Sequence, residues 1–278
     1  MTAVATLKSR LRALAARPDG DLDVGATALV LAAMERPGAT MDSYLRHLER
    51  LSGAVADYAL DPAGADLDLR AEALRHVIVR RYGYLGGSDT GDEPEAENLY
   101  NLIDGRMGSA PLLAVLYLKV AADLGWPARA IDFPARPLVR LDHGGGRVLL
   151  DPFGGGRPLG ASDLRELLKA AQGLDAEMTP DHYREMDGRD LLARIQNRVK
   201  VRYLRGARLE DALRVLDTMV TLCPDRPVFW RELGLLQARL DRTRDAIAAL
   251  EHYLRLCPAD SARYRTTVLL QELRGKLN

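Results

Sequence analysis

The sequence predicts an α+β N-terminal domain, mostly helical with a small antiparallel sheet, followed by an all-α array of helical repeats. Three observations carry this prediction. A segment near the C-terminus repeats itself, apolar residues recur at helical spacing along the N-terminal part, and three short apolar runs separated by turn residues lie between them. The 278 residues are enough for two domains of ordinary size.

The first helices are predicted from apolar spacing and from the residues that interrupt it. Lys8, Arg10 and Arg12 lie inside the apolar patch of the N-terminus, whereas a secretory signal places its charges first, so we expect residues 1–22 to form a helical arm. Further helices are expected over residues 24–36, 41–59 and 68–86. Residues 86–98 are polar and acidic without an apolar period, which favours a solvated connector over a ligand-facing loop.

A long helix and a sheet are predicted next. The helix begins near Pro111 and ends at Gly125, because proline is tolerated in a first turn and glycine commonly follows a last one. Antiparallel strands packed on this helix are expected over residues 128–133, 137–142 and 147–151. The glycine runs 144–146 and 154–156 lack the sequence context of phosphate-binding loops and are interpreted as turns.

The C-terminal repeat has the period of tetratricopeptide helix pairs. Leu222-Cys223-Pro224 aligns with Leu256-Cys257-Pro258, an offset of 257 − 223 = 34 residues. The second copy carries the internal pattern of that repeat: Trp230, Leu233, Gly234, Ala246, Leu250, Tyr253 and Pro258. Gly234 and Ala246 are small because the two helices of a hairpin cross closely there.

We therefore expect two hairpins and a capping helix over residues 188–278. The first hairpin comprises helices over 190–204 and 209–222, and the capping helix starts at Asp260 or Ser261. Tyr203, Trp230 and Gln237 are the candidates for contacts with a protein partner on the repeats.

Composition excludes several classes of function. Thirty-nine basic residues balance thirty-nine acidic ones, which argues against a nucleic-acid partner and against polybasic membrane attachment. No apolar run approaches the roughly 18 residues of a membrane-spanning helix. The two cysteines lack a histidine set or a CxxC spacing, so we expect free apolar side chains, no metal, no cofactor and a cytoplasmic location.

Several short motifs, taken in order, resemble the transglutaminase-like fold and in particular the bacterial SirB family. They are Asp104-Gly105-Arg106-Met107-Gly108, Leu124-Gly125-Trp126-Pro127, Phe133-Pro134 and Asp151-Pro152-Phe153. That family joins such a domain to C-terminal tetratricopeptide repeats. The resemblance implies a transglutaminase-like domain over residues 23–170, a linker over 171–187 and repeats from 188 onward.

Active transglutaminase-like enzymes use a Cys-His-Asp triad, in which an imidazole activates a thiolate and a carboxylate orients the imidazole. The cysteine belongs at the start of the long helix, where this chain has Ser109 and Ala110. The histidine belongs after Phe133-Pro134, where this chain has Arg136, and only Asp151 matches the triad. The SirB family mostly lacks the cysteine, and here the histidine is missing as well.

These substitutions favour a non-catalytic protein that recognises a protein or peptide, with Ser109, Arg136 and Asp151 lining the former active-site groove. Arg136 either forms an ion pair with Asp151 or offers a contact for a carboxylate or phosphate. The alternative is a hydrolase or acyltransferase with an atypical site around the same three residues, or around Ser109, His143 and Asp151. A third possibility is a scaffold role in a homo-oligomer.

Overall fold

The computed structural model describes residues 3–36, 38–87, 93–257 and 261–276. The chain divides into two compact units, residues 1–195 and 196–278. We describe each unit by itself. No helix among the described residues is both long enough and apolar enough to cross a membrane.

The first unit is mostly helical. Its helices are α1 (Ala3–Ala15), α2 (Val24–Glu35), α3 (Met41–Ala59), α4 (Leu67–Leu74), α5 (Leu99–Gly105), α6 (Ala110–Asp123) and α7 (Ala161–Gln172). Helix α8 (Gly188–Arg205) follows, and the division between the units falls within it. Helix α6 lies at the centre, because every side chain from Ala110 to Tyr117 is buried and the helix packs against α2, α3 and the sheet. Ser109 and Ala110, two of the candidate site residues, stand at the start of this helix.

Two short parallel strands lead into α6. They are β1 (Leu85–Gly86) and β2 (Met107–Gly108), which pair in the register Leu85 to Met107 and Gly86 to Gly108. Because β2 ends one residue before Ser109, this pairing holds the entry to α6 in place. The backbone N–H of Gly87 donates to the carbonyl of Gly108 at 3.0 Å and extends the pairing.

The predicted antiparallel sheet is confirmed, and it is larger than predicted. Its strands are β3 (Ala128–Ile131), β4 (Leu138–His143), β5 (Gly146–Asp151), β6 (Arg157–Leu159) and β7 (Glu185–Met186), in the order β6-β5-β4-β3-β7. Side chains alternate between the two faces of a strand, so one face of the sheet meets α4 and α6, and the other packs its apolar residues on Leu164 and Leu168 of α7. The segment 171–187, expected to be a linker, therefore contributes the edge strand β7.

Two predicted elements differ in the structure. The helix expected over 68–86 continues from α4 as a π-helix, Arg75–Arg81, and stops there because Gly83 adopts a φ of +76° that leads the chain into β1. Within the segment expected to be a solvated connector, Pro94–Glu97 forms a 3₁₀ turn with Glu97 buried. Pro258 and Asp260, expected to stop one helix and cap the next, lie outside the described residues.

The second unit confirms the predicted repeats. After α8 come α9 (Leu209–Leu222), α10 (Pro227–Arg239), α11 (Thr243–Leu256) and α12 (Ser261–Gly275). A Cβ atom at Gly234 would lie 2.6 Å from Leu250 Cδ2, so the close crossing expected at this glycine is present. At the matching position of the first copy, Lys200 replaces the glycine; its side chain is buried and pairs with Glu232 at 2.5 Å.

Candidate functional site

The start of α6 is the position where the resemblance predicts the nucleophile of an active transglutaminase-like enzyme. Ser109 caps the helix in an extended conformation, and Ala110 is the first helical residue, only 7% exposed. The Ser109 hydroxyl donates to the carboxylate of Glu97 at 2.6 Å, and both side chains are buried. The hydroxyl is therefore oriented by a carboxylate, and the methyl group of Ala110 offers no nucleophile.

Arg136, which the resemblance predicts at the position of the catalytic histidine, forms a two-pronged ion pair with Asp151. Arg136 Nη2 lies 2.7 Å from Asp151 Oδ2, and Nε lies 3.1 Å from Oδ1. The Asp151 side chain is 1% exposed, whereas that of Arg136 is 26% exposed. The guanidinium also lies over the Phe153 ring, 5.0 Å from its centroid. A guanidinium stays protonated and has no lone pair to accept a proton, so Arg136 cannot act as a general base.

A tight turn completes the hydrogen bonding of Asp151. Its Oδ1 accepts the backbone N–H of Gly154 at 2.9 Å, and its carbonyl accepts that of Gly156 at 2.7 Å. Gly155 and Gly156 have φ values of +79° and +68°, so the second glycine run forms the turn that the sequence predicts. The carboxylate is thus held by three donors from two sides.

Beneath this turn lies Tyr117 of α6, which belongs to the Leu116-Tyr117-Leu118 motif of the resemblance but is not predicted as a site residue. Its hydroxyl is buried and has no hydrogen-bond partner among the described residues, and it faces Gly156 so closely that a Cβ there would clash. Burial, and then the negative charge of Asp151, raise the pKa of Tyr117 far above its ordinary value. The phenol therefore stays protonated and neutral beside the ion pair.

A site built from Ser109, His143 and Asp151 does not form. His143 pairs with Gly146 at the turn of the β4–β5 hairpin, whereas Asp151 ends β5 five residues further on. At a strand rise of about 3.4 Å per residue, this separates the two ends by roughly 17 Å. The expectation that His143 could serve Asp151 is corrected by this register.

The structure also relocates two of the candidates on the repeats. Tyr203 belongs to the apolar core of the second unit, and Gln237 is buried as well, so neither is a surface contact in this chain. Trp230 is partly exposed; its indole N–H donates to the carbonyl of Pro224 at 2.8 Å, and its ring stacks 4.0 Å from that of His252. Of the three, Trp230 is the one available to a partner.

A second cluster, which sequence reasoning missed, joins His47 and Tyr84 to Arg106, three residues before Ser109. His47 and Tyr84 are buried, and the imidazole Nε2 lies 2.6 Å from the Tyr84 hydroxyl. The guanidinium of Arg106 donates to that hydroxyl, lies 3.1 Å from His47 Nε2 and sits over the Tyr84 ring. Arg106 belongs to the Asp104–Gly108 motif, but no sequence pattern indicates that it contacts His47 and Tyr84, which lie 59 and 22 residues away.

The electrostatics of this cluster keep the imidazole neutral. Burial, and then the positive charge of Arg106, lower the pKa of His47 to about 4. Burial also raises the pKa of Tyr84 to about 12. Near pH 7 the cluster therefore carries a single positive charge, which resides on Arg106.

Both cysteines are free thiols, with Cys223 buried and Cys257 partly buried. Among the described residues, no group of three or more histidine, cysteine, aspartate or glutamate side chains is arranged to hold a metal ion.

Comparison with known proteins identifies the family to which this combination of domains belongs. The model of the transglutaminase-like superfamily matches residues 42–197, and a tetratricopeptide repeat model matches residues 199–271. A UPF0162 protein of Xylella fastidiosa is 31% identical over 255 residues, covering 88% of each chain. Protein SirB1 of Salmonella typhimurium is 26% identical over 199 residues, covering 68% of this chain and 71% of its own. UPF0162 protein YchA of Escherichia coli is 28% identical over 195 residues, covering 70% and 72%.

Fold and comparisons together define a transglutaminase-like domain followed by tetratricopeptide repeats. Within that class, the chain belongs to the family of SirB1 and the UPF0162 proteins, which confirms the resemblance drawn from the sequence.

Proposed function

We propose that this protein is a non-catalytic adaptor that recognises a protein or peptide. The observation that carries the proposal is the Arg136–Asp151 ion pair, which stands where an active relative needs an imidazole held by a carboxylate. Ala110 at the start of α6 supports it, because a methyl group cannot attack a carbonyl. The tetratricopeptide repeats add a second surface of a kind that serves protein recognition.

A protein or peptide partner would contact the exposed parts of Arg136 and Phe153 in the former active-site groove. Arg136 keeps about a quarter of its side chain exposed, and Phe153 lies beneath its guanidinium. A partly exposed arginine stacked on an aromatic ring is a frequent element of protein interfaces. On the repeats, the partly exposed Trp230 is the corresponding candidate.

The rival function, an atypical hydrolase or acyltransferase, has one observation in its favour. The Ser109 hydroxyl donates to the buried carboxylate of Glu97, so a hydroxyl and a candidate base are in contact at a helix start. The same bond also has a purely structural explanation, since it satisfies a buried acid and fixes the entry to α6.

Two measurements on the full chain test the proposal. The first follows hydrolysis of activated esters and peptides, and amine incorporation into glutamine peptides, by the wild type and by Ser109→Ala and Asp151→Asn. We expect no turnover that depends on either residue. Turnover abolished by Ser109→Ala would overturn the non-catalytic assignment in favour of the rival.

The second measurement places a photo-crosslinking amino acid at Phe153 in living cells. We expect a discrete crosslinked protein that is lost with Arg136→Ala and is not seen when the crosslinker replaces Arg165, an exposed residue of α7. Identical crosslinks from both positions would contradict recognition at the groove.

A further inference from the structure

The cluster around Arg106 continues onto the surface as a basic and aromatic patch, here called the Arg106 surface. Its members are His47, Arg50, Arg81, Tyr82, Tyr84, Leu85, Arg106 and Met107. It shares no residue with the Arg136–Asp151 pair, although Phe153 beneath Arg136 packs on Gly86, the neighbour of Leu85. Neither the comparisons nor the proposed function assigns it a role.

The Arg106 guanidinium is held in place by its neighbours, but most of its N–H groups remain without an acceptor among the residues that the structure describes. Its Nη1 is the atom that contacts the Tyr84 hydroxyl and the His47 imidazole, and its guanidinium carbon lies 4.7 Å from the centroid of the Tyr84 ring. A guanidinium has five N–H donors, so most of them are left for other acceptors. Among the described residues, no carboxylate lies within 4 Å of it, and the neighbouring Asp104 is engaged by Tyr44 and Arg36.

The backbone at Arg106 adds to this picture. The residue ends α5 with a φ of +64°, a left-handed conformation that glycine adopts at lower cost, and Gly105 stands directly before it. The chain thus places a large cationic side chain at a position where the backbone favours glycine. The stacked, pre-positioned guanidinium loses little freedom when it binds an anion.

Further positive charge surrounds Arg106. Arg81 lies over the Tyr82 ring, which meets the His47 ring edge-on with centroids 5.8 Å apart. Arg50 lies close enough to His47 for its charge to act on the imidazole. In the described part of the chain, neither Arg50 nor Arg81 forms an ion pair, so the patch carries three positive charges without a carboxylate partner.

Two exposed apolar residues directly follow Tyr84 and Arg106 in the chain. Leu85 is 43% exposed and Met107 is 58% exposed, and the pairing of β1 with β2 places them opposite each other. The Arg106 guanidinium has free N–H donors, and Leu85 and Met107 offer a small exposed apolar surface. Together they suit a ligand in which a carboxylate stands next to an apolar group.

We propose that the Arg106 surface binds an acidic peptide segment of a partner protein, with a side-chain carboxylate on the Arg106 guanidinium and a neighbouring apolar side chain on Leu85 and Met107. The proposal rests on the proposed function only in that the ligand belongs to a protein. A planar guanidinium pairs with a carboxylate through two parallel hydrogen bonds. The net charge of zero for the whole chain argues against a polynucleotide as the natural ligand.

The test is fluorescence anisotropy with a fluorescein-labelled peptide of alternating glutamate and leucine residues and the full-length protein. We expect saturable binding that weakens with added salt and is absent for the peptide with glutamine in place of glutamate. Arg106→Ala and Arg106→Lys should each weaken binding about tenfold or more. Alanine removes the charge, and lysine keeps the charge but cannot form the two parallel hydrogen bonds of a guanidinium with a carboxylate. Arg165→Gln, an exposed arginine of α7, is the matched control and should bind like the wild type.

Arg106 packs on a buried tyrosine, so its variants are checked by thermal unfolding, and two exposed arginines provide an independent arm. Arg50→Gln and Arg81→Gln leave the buried cluster intact and should each weaken binding by about two- to fivefold. Equal binding by the glutamine peptide, or by all these variants, would overturn the proposal. So would an unlabelled single-stranded DNA that displaces the peptide at equal concentration, since the surface would then be a general polyanion site.

The outcome is separable from that of the proposed function. A crosslinked partner at Phe153 without any peptide binding would refute the Arg106 surface and leave the adaptor role intact. Peptide binding that depends on Arg106, together with serine-dependent turnover, would support the surface and refute the non-catalytic assignment.

Discussion

The first unit holds two arginine centres of similar size and opposite character. At Asp151, the guanidinium of Arg136 meets a buried carboxylate that already accepts a backbone N–H, so charge and hydrogen bonds are matched within the protein. At Tyr84, the guanidinium of Arg106 meets a phenol and a neutral imidazole, so its charge is not matched. We call the Arg136–Asp151 pair the closed centre, because its positive charge is neutralised within the protein. We call the Arg106 cluster the open centre, because its positive charge has no carboxylate partner among the described residues.

The two centres differ in what faces the guanidinium. Arg136 is neutralised by a buried carboxylate of the protein itself, so the pair acts as a structural link. Arg106 faces a neutral phenol and a neutral imidazole, so its guanidinium retains the capacity to bind an anion from outside.

The largest expected effect comes from breaking the closed centre. Asp151→Asn keeps the shape of the side chain but removes the charge that faces Arg136. Since Arg136 can partly reach water, we expect a loss of about 3 kcal/mol in the free energy of unfolding, at the lower end for a broken buried pair. Urea denaturation followed by circular dichroism measures it.

The matched control is Asp142→Asn on β4. Asp142 also pairs with an arginine, Arg140 at 3.0 Å, but it is half-exposed and Arg140 has Glu185 as a second partner. We expect a loss below about 1 kcal/mol. Equal losses for the two variants would mean that the Arg136–Asp151 pair behaves as an ordinary surface pair.

The next effect concerns the pH dependence of the open centre. The folded pKa of His47 is about 4, below the ordinary value of about 6.5, so between these pH values the unfolded chain binds a proton that the folded chain does not. Stability therefore falls as the pH drops from about 6.5 to about 4, and we expect His47 to account for about 2 kcal/mol of that fall. The charges that act on His47 are those of Arg106, Arg50 and Asp104.

Urea midpoints at several pH values for the wild type and His47→Gln measure this contribution. His47→Gln should flatten the acid side of the stability profile, whereas His76→Gln, whose ring stacks on Tyr58, should follow the wild type. A wild-type slope that survives in His47→Gln would show that the imidazole is not held neutral by the cluster.

The two centres also differ in how far the sequence predicts them. Ala110 stands at a helix start that Pro111 predicts. Arg136 lies in the loop before β4 and Asp151 ends β5, the strand paired with β4, so their contact stays within one short stretch of the chain. The repeats are predictable for the same reason: the glycine that meets Leu250 lies at a fixed offset within one hairpin. Local rules suffice where neighbours in space are neighbours in sequence.

The open centre depends on tertiary contacts. Its three members come from α3, from the segment before β1 and from the end of α5, and only the packing of these elements brings them together. The contact between Glu97 and Ser109 is similar, since it connects a 3₁₀ turn in an acidic segment to a helix cap. The acidic composition of that segment favours solvent exposure, and only the fold shows that one carboxylate is buried.

Ser109→Ala tests that contact with a smaller expected effect. The substitution removes the hydroxyl that donates to Glu97 at 2.6 Å, but Glu97 keeps another interaction. We expect a loss of about 1 to 1.5 kcal/mol in the free energy of unfolding, measured by urea denaturation. Ser43→Ala, which removes an exposed hydroxyl bonded to the carbonyl of Thr40, is the control and should change little. An equally small effect for Ser109→Ala would indicate that the bond contributes nothing to the entry of α6.

The smallest expected effect is that of Tyr117→Phe, and Tyr84→Phe, a buried tyrosine of the other centre, is its comparison. The Tyr117 hydroxyl has no partner among the described residues, so Tyr117→Phe removes an unsatisfied group and should leave stability unchanged or raise it by less than about 1 kcal/mol. The Tyr84 hydroxyl has two partners, so Tyr84→Phe should cost about 1 to 3 kcal/mol. Thermal and urea unfolding of both variants measure the difference. If Tyr117→Phe were as costly as Tyr84→Phe, a buried water would have to satisfy Tyr117, and the packing against Asp151 would be less complete than the closed centre requires.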